Sequence, residues 1–283
     1  MSYPGVLHQY SYQVAFEFEP VGLPNVIIVI GGLTDGLLTV AYASPLAKAV
    51  AKYGYSVVNI QMTSSYKGFG VQSLDKDVED IKKLVDFFKA KNRGRIIIFG
   101  RSTGSQDVIH YLLRYPETVD AGIMDAPVSD REAFSSEIDP KVLARLNETA
   151  SELVKDERGS QLLSPEHCKY LFGTPVNAYR WCSLLLPGGD DDYFSADLSD
   201  EFIASTFGKL GKPFLILENE RDEFVPRTTD KSSLLKRWKA ASDPKYWSKM
   251  SGFVKNASHL VVEKDAQNLL VDRVTRFISE FEL

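Results

Sequence analysis

Two cysteines, four histidines and no long apolar run are the first features of this 283-residue chain. Cys168 and Cys182 fall in no CxxC or other ligand-like spacing, so a disulfide scaffold and a thiolate metal site are both excluded as expectations. They read as reduced structural residues, which makes a cytoplasmic location the default expectation. The first twenty residues, MSYPGVLHQYSYQVAFEFEP, lack the basic segment and apolar run of a signal peptide. The longest apolar stretch near the start, Val26 to Ile30, is far too short to span a bilayer, so no membrane role is expected. A basic excess is missing too. Thirty-three Lys and Arg against 38 Asp and Glu leave a formal charge of −5, which argues against a nucleic-acid partner. Any chemistry that needs an imidazole must choose among His8, His110, His167 and His259.

What is present is an alternation of two periods. Short β-branched runs at Val26–Ile30, Ser56–Met62, Arg95–Gly100, Ala121–Ala126 and Pro213–Leu217 look like strands buried on both faces, as in a parallel sheet. Amphipathic helices lie between them. One carries Val78, Ile81, Val85 and Phe88 on a single face, and the last carries Leu270, Val274, Phe277 and Phe281. The pattern predicts βαβ units and an α/β fold with a mostly parallel, doubly wound sheet. The alternating segment Tyr12–Glu19 is expected as an antiparallel edge strand. From about Val128 to Lys209 no strand-like run occurs, while Val142, Leu146, Ala150 and Leu153 mark a helix. Roughly 80 residues without a strand are too many for an ordinary connection. Residues 128–209 are therefore expected to form a helical cap inserted into a core of residues 1–127 and 210–283. The cap would cover the carboxyl edge of the sheet, where such folds bind ligands.

The strand ending in RIIIFG runs straight into Gly100-Arg101-Ser102-Thr103-Gly104, followed by a helix over Gln106–Arg114. This is G-x-S-x-G in a strand–turn–helix context. Small residues flank the serine so that strand and helix can approach closely. Its hydroxyl then stands clear of the sheet at the positive end of a helix, where the Thr103 N–H can receive an oxyanion. A serine needs a base. His259 follows the last apolar run and precedes the last helix, whereas His110 sits eight residues along the helix from Ser102 and should point into helix packing. His8 precedes the core and His167 falls in the cap segment.

The base needs an orienting acid. Asp222, in the loop Glu218-Asn219-Glu220-Arg221-Asp222-Glu223 after the strand PFLIL, is preferred, with Asp125 at the end of AGIMDAP as the rival. Glu218, Glu220 and Glu223 read as surface charge. The order Ser, Asp, His along the chain agrees with this choice. The second oxyanion donor is expected from the Leu33 N–H in Gly31-Gly32-Leu33-Thr34-Asp35-Gly36, with Gly32, Arg101 and Asp125 as further candidates for substrate contact. This loop has neither the downstream G-x-x-G of a dinucleotide site nor a P-loop lysine, so no phosphate cofactor is expected. Pro187–Phe194 places Asp190, Asp191 and Asp192 beside two aromatics. If that loop lined the pocket, Asp191 and Asp192 would favour a cationic ligand, and adjacent aspartates point in different directions, so no metal is expected.

Through GRSTG, ERDEFVP and NASH the chain resembles the α/β-hydrolase superfamily over essentially its whole length. More narrowly, PGVLHQY, GGLTDGL, GRSTGSQD and APVSDREA resemble a hydrolase family of fungi, plants and protozoa that includes a fungal esterase of fusarinine-type hydroxamate siderophores. The chain departs from these patterns at Gly31, where many hydrolases have histidine, and at Arg101, where the narrower family usually has histidine. The resemblance implies an α/β-hydrolase fold with an inserted helical cap, no cofactor, and a small-molecule ester as substrate. It implies a Ser102–His259–Asp222 triad acting through an acyl-enzyme. An acyltransferase or thioesterase using the same triad, and a non-catalytic small-molecule receptor on the same fold, are the alternatives. A dehalogenase or epoxide hydrolase is disfavoured, because those place aspartate at the elbow. Oligomeric state is left open.

Overall fold

The computed structural model describes residues 2–283. Its eight strands are β1 Gly5–Tyr10, β2 Gln13–Phe18, β3 Asn25–Ile30, β4 Tyr55–Ile60, β5 Ile96–Arg101, β6 Ala121–Asp125, β7 Phe214–Asn219 and β8 Gly252–Val254. They form one sheet in the order β1-β2-β4-β3-β5-β6-β7-β8. β1 and β2 join it antiparallel, and the pairings from β4 through β8 are parallel. The helices are α1 Ala43–Val50, α2 Leu74–Ala90, α3 Thr103–Arg114, α4 Asp130–Ser136, α5 Pro140–Lys155, α6 Pro165–Tyr170, α7 Ala178–Leu185, α8 Asp200–Thr206, α9 Lys231–Ala241 and α10 Lys264–Glu280.

The alternation of side chains along each central strand builds two cores. Val26, Ile28 and Ile30 of β3 face one, with Val78, Ile81 and Val85 of α2 and Val108 and Leu112 of α3. Ile27 and Val29 face the other, with Leu46 of α1 and Leu270, Val274 and Phe277 of α10. Strands apolar on both sides can survive only between two helical layers, and that is where they lie. Helix starts are set locally. The Ser73 side chain accepts the Lys76 N–H at the head of α2, and Asn177 accepts the Arg180 N–H at the head of α7.

Two expectations need correction. The segment around Tyr12–Glu19 is a strand but not the edge. β1 pairs outside it, with Val6 and Leu7 exposed. Residues 128–209 hold α4 to α8 and no strand, and their packing divides. Leu146, Ala150, Leu171, Trp181, Leu184 and Leu185 form a third core of their own, whereas Tyr193, Phe194, Ile203 and Phe207 pack into the first main core. α8 lies against α9 and serves as a crossover helix to β7.

Among the described residues no helix is long and apolar enough to cross a membrane.

Candidate active site

Ser102 stands at the carboxyl end of β5 with φ 56° and ψ −129°, a backbone state that L-residues avoid. The flanking glycines explain how it is tolerated. A Cβ on Gly100 would sit 1.8 Å from the Gly104 carbonyl oxygen, and one on Gly104 would sit 2.7 Å from that of Ile30. Strand and helix therefore approach at a distance that no side chain allows. The Ser102 N–H donates to the Asp125 carbonyl at 2.9 Å, and the Ser105 hydroxyl donates to the Gly100 and Asp125 carbonyls, holding the turn to the neighbouring strand.

The structure brings Ser102, His259 and Asp222 together. His259 Nε2 lies 2.9 Å from Ser102 Oγ, and His259 Nδ1 lies 2.8 and 3.0 Å from the two oxygens of Asp222. A proton on Nδ1, donated to Asp222, leaves Nε2 as the acceptor for the serine hydroxyl. Both His259 and Asp222 are buried, and the Phe224 ring packs 4.6 Å from the imidazole. Asp222 also accepts the Phe224 N–H at 3.0 Å.

The loops that carry acid and base are tied to each other. Glu223 accepts the His259 N–H at 2.9 Å, Glu220 accepts the Asn256 N–H at 2.7 Å, and the Arg221 N–H donates to the Ala257 carbonyl at 2.9 Å. Asn219 Nδ2 donates to the Ser258 carbonyl at 3.0 Å. This corrects the reading of the three glutamates as surface charge, since two of them brace the histidine loop. The third, Glu218, is buried on β7, where desolvation pushes its carboxyl up to about 8. The other histidines are engaged elsewhere: His8 with Glu17, His110 with Tyr193 and Asp75, and His167 with Ser164 and the Leu146 carbonyl.

Leu33 and Thr103 both line the cavity that opens on Ser102 and His259, and among the described residues neither of their N–H groups has a hydrogen-bond partner. Gly32 packs so closely that a Cβ there would lie 2.7 Å from Ser102 Cβ, and its own N–H is taken by Asp35 at 2.7 Å. Arg101 is buried and paired with the same Asp35 oxygen. The cavity measures about 410 Å³. Val128, Phe134, Phe172, Phe224 and Leu260 give it apolar walls, and Asp130 and Glu223 give it carboxylates besides the Arg101-paired Asp35.

Of the candidates for substrate contact, Gly32, Asp125, Asp191 and Asp192 do not line that cavity. Asp125 is fully buried beneath the site, where it accepts the Tyr42 hydroxyl at 2.6 Å, and desolvation pushes it up to about 7. It stands near the triad without touching His259, whose Nδ1 is held by Asp222. Asp191 and Asp192 do not line the pocket, because the buried Arg180 and the half-buried Arg131 claim them. Asp191 accepts Arg180 Nη1 at 2.6 Å, and Asp192 accepts Arg131 Nε at 3.0 Å. Sequence reasoning missed Asp35, Asp130 and the aromatic walls. Asp35 alone left a local signal, as a carboxylate three residues beyond Gly32 in a tight loop. Among the described residues no three His, Cys, Asp or Glu side chains converge as a metal ion would need.

The chain is 36% identical to a UPF0613 protein of Schizosaccharomyces pombe, over 98% of this chain and 96% of that one. It is 34% identical to the fusarinine C esterase sidJ of Aspergillus fumigatus, again over 98% and 96%. The solved structure of the siderophore hydrolase EstB from Aspergillus fumigatus superimposes with a TM-score of 0.85 at 32% identity, covering 99% of this chain and 98% of that one. The architecture is the α/β-hydrolase fold. Residues 1–279 match the family model described as a protein of unknown function, DUF1749, and the chain belongs to that family.

Proposed function

We propose that this chain is a serine esterase that cleaves a carboxylic ester through an acyl-enzyme. The observation that carries the reading is the contact of one imidazole with both a hydroxyl at 2.9 Å and a carboxylate at 2.8 Å. In this reading His259 Nε2 takes the Ser102 proton as Oγ attacks the ester carbonyl, and Asp222 holds the ring and stabilises the imidazolium. The Leu33 and Thr103 N–H groups receive the oxyanion, each worth about 3 to 4 kcal/mol in the transition state. His259 then protonates the leaving alcohol, and water attacks the acyl-serine with the same residue as base.

The substrate class follows from the cavity and the relatives. An apolar slot of about 410 Å³ suits one acyl or alcohol arm, and Asp130 and Glu223 suit an amine on it. The names of sidJ and EstB support a hydroxamate siderophore ester of the fusarinine type. Both cysteines carry free thiols, which supports a reducing, cytoplasmic location.

The test is covalent labelling by a fluorophosphonate together with turnover of a short p-nitrophenyl ester and of a fusarinine-type ester. Wild-type protein is expected to be labelled on Ser102. Ser102→Ala is expected to lose labelling and about a million-fold in turnover, the loss known for subtilisin. More than a few per cent of wild-type turnover in Ser102→Ala overturns the reading. Labelling of the wild type without turnover of any ester favours a receptor.

A further inference from the structure

One carboxylate oxygen joins the two halves of the site. Asp35 Oδ2 accepts the Gly32 N–H at 2.7 Å, and the Arg101 guanidinium donates to the same oxygen. Gly32 belongs to the loop after β3, whereas Arg101 ends β5 and immediately precedes Ser102. The Asp35 N–H returns a bond to the Gly32 carbonyl at 3.1 Å, closing a turn with Leu33 and Thr34 at its corner. Thr34 holds φ 68°, a left-handed state that a threonine adopts only under constraint. The turn also has no slack on its inner side. A Cβ on Gly31 would meet Asp35 Cβ at 2.4 Å, and the Tyr66 N–H holds the Asp35 carbonyl at 2.8 Å.

We propose that Asp35 and Arg101 are positioning residues that clamp the Gly31–Gly36 loop to the serine strand and thereby aim the Leu33 N–H at the reacting carbonyl oxygen. The inference rests on the serine-esterase reading. By occupying the Gly32 N–H, Asp35 removes a competing donor from this loop and leaves the Leu33 N–H unpaired. Arg101 is 4% exposed and lies at the last position of β5, so it moves only with the nucleophile. A donor worth its full effect must sit within a few tenths of an ångström of the oxyanion position, and a link between donor loop and nucleophile strand supplies that constraint. Because carboxylate and guanidinium neutralise each other, the clamp adds no net charge beside the oxyanion.

Two double variants separate the clamp from a general packing role, since neither strands a buried charge. Asp35→Asn/Arg101→Met keeps an acceptor for the Gly32 N–H, and Asp35→Ala/Arg101→Met removes it. With kcat counted per site titrated by fluorophosphonate, the Ala/Met variant is expected about 100-fold below the Asn/Met variant, the scale of one lost oxyanion donor. KM is expected to agree within about threefold. Affinity for a trifluoromethyl ketone, which mimics the tetrahedral adduct, should fall in parallel with kcat. Wild-type kcat in the Ala/Met variant, which has lost both ends of the link, overturns the clamp. Wild-type hydrogen exchange provides a readout that needs no variant. The Gly32 amide is expected to exchange at least about 100-fold more slowly than that of Leu33, as befits a bonded against an unbonded amide. Equal rates overturn the proposal. If wild-type Ser102 takes no fluorophosphonate label, the esterase reading falls and the clamp with it. Labelling with equal exchange rates removes the clamp alone.

Discussion

Replacing Asp125 by asparagine isolates one buried acid beneath the site from the acid that touches His259. The Asp125 carboxyl is fully buried, receives the Tyr42 hydroxyl on one oxygen and has no partner for the other. Burial raises it from 3.8 to about 7. Such a rise of about three units corresponds to about 4 kcal/mol. Its sign is fixed. Below pH 3.8 the folded and unfolded chains both hold the proton, so nothing is lost. Between 3.8 and 7 the unfolded chain releases it while the folded chain keeps it, and stability declines until the loss is complete above 7. Asparagine keeps an acceptor for Tyr42 and cannot titrate. Urea denaturation of wild type and Asp125→Asn at pH 5 and pH 8 should therefore show the variant gaining about 3 kcal/mol relative to wild type across that interval. Turnover supplies the second half of the test. Asp125→Asn should stay within about tenfold of wild type, while Asp222→Asn should lose about 10⁴-fold through the wrong imidazole tautomer. The reverse ranking would show that His259 is oriented from β6. An unchanged pH slope would refute the burial argument.

Gly32→Ala places a methyl group 2.7 Å from Ser102 Cβ. The resulting displacement should cost about 100-fold in kcat with little change in melting temperature, checked by steady-state kinetics beside calorimetry. Arg180 is buried, pairs with Asp191 at 2.6 Å and donates to the Phe69 carbonyl at 3.1 Å. Buried Asp77, Asp107 and Asp130 also feel its charge. Arg180→Met should lower stability by about 3 to 5 kcal/mol, with a larger loss at pH 8 than at pH 5 as these acids ionise, read by thermal unfolding at both values.

Much of this architecture could be read from local pattern. β3, β4, β5, β6 and β7 each announce themselves because a strand between two helical layers must be apolar on both faces. The serine turn is legible because Gly100 and Gly104 answer a steric demand that arises within five residues. β1 escaped notice for the opposite reason: its first three residues are exposed and carry no periodic signal. The remaining misses depend on partners distant in sequence. The acids at Asp191 and Asp192 look like solvent charge until Arg180 and Arg131 are brought beside them by the packing of α7 and α4. Glu218 looks like loop polarity until β8 covers it. Nothing near Phe134, Phe172 or Phe224 says that the three will share one cavity wall. Asp222 was distinguishable from Asp125 by its place in the loop after β7, but its contact with His259 required the fold.

The braces between the Asp222 and His259 loops have a mechanical consequence. Four hydrogen bonds join adjacent strand ends into one stiff jaw, so thermal agitation cannot easily pull carboxylate from imidazole. The opposing jaw is a single serine on another strand, and one side-chain hydrogen bond, from Ser102 to His259, joins it to the first. Gentle heating or low urea should therefore idle this catalyst by breaking that bond while the acid–base couple stays assembled, a reversible disengagement that precedes loss of the sheet.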